Sequence, residues 1–130
     1  MFGKNLLKAE TQNYTVAYNN NDKGAASTAL KAMIAAAETF DQIMSIISSI
    51  CDAANKGKVA DADVIMESAV DTVLTKDTIN KNLKLRHYAS FSNTIYGCKK
   101  ALGKKYDAVY KKTTDKVAAQ RTLENTPATP

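Results

Sequence analysis

"ALKAMIAAAETFDQIMSIISSICDAA", residues 29–54, decides the fold. A membrane-spanning helix needs roughly 18 or more consecutive apolar residues. Lys31, Glu38, Asp41 and Asp52 interrupt this run, so no span is expected. The large side chains instead recur at Leu30, Met33, Ile34, Phe40, Ile43, Met44, Ile47, Ile50 and Cys51, with Ala37 and Ala54 filling the same stripe. Steps of three and four are the period of one buried helix face. Lys31, Glu38, Thr39, Gln42, Ser45, Ser49 and Asp52 fall on the other side. Asn21 or Asp22 can cap the start, and Gly57 in "NKG" suits the left-handed position that ends such a helix. The expectation is one long central helix over about 23–55.

Working outward, the pattern stays helical. Phe2, Leu6, Leu7, Ala9, Tyr14 and Ala17 fit a helix face over residues 2–18. "YTVAY" alternates like a strand, but no partner strand is visible, and an isolated strand leaves its backbone groups unpaired. Residues 61–75 place Ala62, Met66, Ala69, Val70 and Val73 inward. From Ile79 the stripe runs through Leu83, His87, Phe91, Ile95, Cys98, Leu102, Tyr106, Val109 and Val117. "TKDT" at 75–78 and a kink near Gly103 are the expected breaks. Both prolines lie in the last four of 130 positions. The fold class is therefore all-α, an antiparallel bundle of four to five helices, with 1–124 as a single domain and 125–130 as a tail.

Signatures of catalysis are sparse. His87 is the lone histidine and lies on or beside an apolar face, where a satisfied core or boundary histidine is the expectation. Zinc takes three or four His/Cys ligands, whereas this chain has three such residues in all, dispersed. The Glu-x-x-His pairs of di-iron bundles and the glycine-rich phosphate loops have no counterpart here. Asp63, Glu67 and Asp71 make a row of carboxylates along one helix, which reads as a solvated face. The chain is expected to be no enzyme, with no catalytic residue, no metal site and no cofactor. Cys51 and Cys98, 47 positions apart, are expected to be buried free thiols, with a disulfide pinning two helices as the alternative. With no signal-peptide pattern at the N-terminus, a cytoplasmic, reduced compartment is expected.

Charge is the feature that stands out. Residues 1–75 carry 6 Lys/Arg against 9 Asp/Glu, while residues 76–130 carry 12 against 4. Such asymmetry points to an acidic partner. Lys81, Lys84, Arg86, Lys99, Lys100, Lys104, Lys105, Lys111, Lys112 and Lys116, with Tyr106 and Tyr110 interleaved, are the candidate binding residues. Lysine outnumbers arginine ten to two in this half, which suits point-charge attraction better than bidentate base reading. The expected function is a helical interaction or assembly protein, an adaptor, inhibitor or structural subunit. It would dock an acidic macromolecule, a protein partner or a further copy of itself, through residues 81–121. The alternative is a sequence-nonspecific nucleic-acid binder using the same residues. No small-molecule substrate is evident.

Overall fold

A computed structural model describes residues 2–125, with side chains from Leu6 onward. The chain runs through α1 (Phe2–Asn19), α2 (Lys23–Ala36), α3 (Phe40–Asn55), α4 (Ala62–Thr75), α5 (Asp77–Asn80), α6 (Leu85–Tyr96), α7 (Lys99–Leu102), a 3-10 turn (Gly103–Lys105) and α8 (Tyr106–Asn125). No strand occurs among the described residues, so the all-α expectation holds. Phe2 and most of the expected 125–130 tail lie outside the described side chains.

The long rod expected over 23–55 is two helices. Ala37–Thr39 break it, and the cause is local. Thr39 Oγ1 accepts from the Gln42 N–H at 3.1 Å, while Gln42 Oε1 accepts from the N–H groups of Thr39 and Glu38. This reciprocal capping box starts a new helix. The carbonyls left at the end of α2 are met from outside: Lys76 Nζ donates to Ala35 O at 3.2 Å and to Ala37 O at 2.5 Å. The elbow is thus satisfied on both sides, and α3 need not continue the line of α2. Six helices of twelve or more residues result, more than the four or five expected.

The turns follow from backbone chemistry. Asn21 adopts a positive φ of 56°, with Asp22 N–H donating to Ala17 O and Asn21 N–H to Tyr18 O. That pair of hydrogen bonds closes α1, and Asp22 Oδ1 then caps α2 by accepting from Ala25 N–H at 3.0 Å. Gly57 closes α3 the same way, as the sequence suggests, with Lys58 N–H on Ala53 O at 2.8 Å. Lys58 Nζ reaches back to the Asn21 side chain and lies 4.8 Å from the Tyr18 ring, tying the two turns together.

One core runs through α2, α3, α4, α6, α7 and α8. Leu30, Ile43, Ile47, Ile50, Met66, Phe91, Ile95, Leu102 and Val109 are each fully buried within it. Ile46 and Ile65 join them, though the expected stripes omit both. Phe40, Met44, Cys51 and Ala62 are only half-buried at its margin. α1 packs chiefly on α2. Its Leu6 and Ala9, expected inward, are exposed, and Val16 is 60% exposed.

Cys51 and Cys98 form a disulfide, with Cα atoms 5.7 Å apart. This corrects the expectation of free thiols. The apolar surroundings of both cysteines concealed that their stripes face each other, since sequence spacing carries no information about which helices become neighbours.

Candidate interaction surface

α6 and α8 position most of the candidate residues. Tyr96 meets Tyr110, Ser92 meets Thr113 and Leu85 meets Glu124, so the two helices run antiparallel. Ser92 Oγ and Thr113 Oγ1, 3.0 Å apart and buried, pair across the seam, and Thr113 Oγ1 donates onward to Tyr110 O. Two hydroxyls in an apolar seam are thereby satisfied. At the far end, Glu124 accepts from Gln120 Nε2 at 2.7 Å and from the Leu85 N–H at 2.6 Å. A carboxylate carried by α8 thus caps the positive end of α6. The Gln120 hydrogen bond, aided by that of Leu85, holds the Glu124 carboxyl below its ordinary value, against a partial desolvation that pushes the other way.

The lysines expected to form one face divide into three groups. Lys105 and Lys112 turn inward to α4. Lys112 Nζ lies 3.0 Å from Asp71 and 3.8 Å from Glu67, and Lys105 Nζ lies 3.5 Å from Glu67. The acidic row therefore neutralises part of the basic half, Lys105 and Lys112 included. Their side chains stay about two-fifths exposed, so each pair contributes only about 0–1 kcal/mol.

The second group surrounds an aromatic platform where α6 meets α7 and α8. The Tyr106 and Tyr110 rings stack at 5.4 Å and 7°, and Tyr96 tilts against Tyr110 at 5.7 Å. Lys99 Nζ lies 5.2 Å from the centroids of both Tyr96 and Tyr106, and Tyr106 Oη donates to Tyr96 O. Desolvation, reinforced by the neighbouring Tyr110 and Tyr96, pushes the Tyr106 phenol above its ordinary value. Lys100 donates to Asn55 O at 3.2 Å, Lys111 pairs with Asp115 at 2.7 Å, and Lys104 is exposed.

The third group lies at the opposite end of α6, about 18 Å away along its axis. Lys81, Lys84 and Lys116 line a cleft between the turn after α5 and α8, with Lys116 Nζ 5.1 Å from the Tyr88 ring centroid. Arg86 is exposed, and the charges of Lys84 and then Arg86 help to hold the Glu124 carboxyl down. Sequence reasoning missed the cleft's amides, Asn80, Asn82 and Gln120; the break at 81–84 that creates it follows Asn80 with no glycine or proline to announce it.

His87 is occupied structurally. Its Nδ1 accepts from the Lys84 N–H at 2.9 Å, and its ring meets Phe40 edge-on at 5.5 Å. Among the described residues no His/Cys/Asp/Glu group could hold a metal ion, and no helix is long and apolar enough to cross a membrane. A second groove, about 470 Å³ between α1 and α3, is lined by Tyr14, Tyr18, Ser45, Ser49 and Asp52 among others; no sequence signal marked it. No protein-family model matches the chain, and no curated protein or solved structure matches it.

Proposed function

We propose that this chain is a non-catalytic helical interaction protein, an adaptor, inhibitor or assembly subunit, whose Tyr96–Lys99–Tyr106–Tyr110 platform docks an acidic protein. One observation carries the reading. The Lys99 ammonium lies over two tyrosine rings, Tyr96 and Tyr106, with no carboxylate partner among the described residues, and Tyr96 is 56% exposed. An aromatic surface holding an uncompensated cation suits a partner that brings carboxylates and apolar groups together. Nucleic acid is the second reading. It is less favoured because Tyr106 and Tyr110 stack on each other, leaving Tyr96 as the accessible ring for a base.

The cytoplasmic setting expected from the N-terminus fits poorly with a paired Cys51–Cys98, so we place the protein where disulfides persist. The test compares wild type with the Lys99→Glu/Lys104→Glu variant in capture from native lysate, alongside mobility shifts on random DNA and RNA across salt. An acidic protein retained by wild type and lost with the variant supports the reading. A shift on nucleic acid whose affinity falls log-linearly with salt transfers it to the second. Equal capture by both proteins overturns the platform.

A further inference from the structure

We propose that the cleft between the turn after α5, the start of α6 and the end of α8 is a binding site for a small phosphomonoester with a hydroxylated carbon skeleton. The cleft encloses about 400 Å³, within the lower range of small-ligand pockets. Three ammonium groups, Lys81, Lys84 and Lys116, line it, and no carboxylate is among its lining residues. None of the three has a carboxylate within ion-pair distance among the described residues, unlike Lys105, Lys111 and Lys112. Glu124, which touches the cleft's Gln120, is itself engaged by the Leu85 N–H. Of the three, Lys84 alone has a carboxylate, Glu124, near enough to feel its charge, and a phosphate dianion in the cleft relieves the repulsion among the ammonium groups.

The remaining lining specifies the rest of the ligand. Asn80 uses its Nδ2 on Val73 O and Gln120 uses its Nε2 on Glu124, so each keeps an amide oxygen able to accept from a hydroxyl. Leu83, Tyr88 and Leu123 supply apolar walls for carbon atoms. Tyr88, 3% exposed and with its phenol pushed up by burial, is a fixed floor under Lys116.

This site is independent of the platform, and its test reads each separately. Amide chemical shifts are followed while wild-type protein is titrated with a hexose 6-phosphate, the free hexose and inorganic phosphate. The hexose phosphate is expected to move residues 80–88 and 116–123, more strongly than inorganic phosphate, and the free hexose to leave them still. Lys81→Gln and Lys84→Gln, both at exposed positions, should each weaken binding about tenfold. Lys99→Glu should leave it unchanged. Shifts confined to residues 96–111, or identical shifts with hexose and hexose phosphate, overturn the proposal, as does no response at millimolar ligand.

Discussion

Gly103 shows what a single residue decides. Its φ of 53° and ψ of −126° lie in a region that L side chains rarely adopt. A Cβ built there meets nothing within 4 Å, so any penalty for alanine is conformational and not steric. Gly103→Ala should therefore cost about 1–2 kcal/mol, measured by urea unfolding, with the native fold retained. A neutral result would mean that the α7–α8 corner does not hold this conformation. The position was legible in advance, because a glycine inside a helical stripe marks a break. Thr39 was legible in principle as well: "TFDQ" has the threonine and glutamine spacing of a capping box. The unbroken apolar period across it outweighed that signal. Cys51 and Cys98 were not legible as a pair, since each reads as a small apolar residue on its own stripe.

At the scale of elements, α8 combines a narrow apolar face with polar ties near both of its ends. Val109 is its one fully buried apolar side chain, and Thr113 and Gln120 are the other buried positions. Lys105, in the turn before it, and Lys112, in its second turn, pair with α4, and Glu124 ties its end to α6. Electrostatic anchoring of this kind depends on tertiary placement, which explains why charge counting found the basic half but not its division into three groups. The Glu124 anchor has a pH signature. Its folded carboxyl lies below the ordinary value of 4.5, so its contribution is fully present above that value and is lost as pH falls through the depressed one. Wild type should exceed Glu124→Gln in Tm at neutral pH, and the gap should close as pH falls below 4.5 towards the depressed value. A gap that stays constant through this range would show that Glu124 does not cap α6 through its charge.

For the whole molecule, the disulfide determines how firmly the surface is presented. Its 47-residue separation encloses α4, α5 and α6, and Cys98 sits immediately before Lys99. The platform's cation is thus one residue from a covalent tie to α3. In the chain-entropy account, closing a loop of this length removes up to about 4 kcal/mol of denatured-state freedom. Reduction, or the Cys51→Ala/Cys98→Ala variant, should lower stability by about 2–4 kcal/mol, or Tm by about 10 °C. The surrounding core contains Ile47, Ile50, Ile95 and Leu102, all fully buried, so the reduced chain should keep its helical far-UV signal at low temperature. Thiol titration of the unfolded, never-reduced protein should find no free cysteine, and two after reduction. Two free thiols before reduction would remove the tie. The Lys99 platform would then depend on apolar packing of α6 and α7 alone, and the oxidising setting proposed for the protein would lose its support.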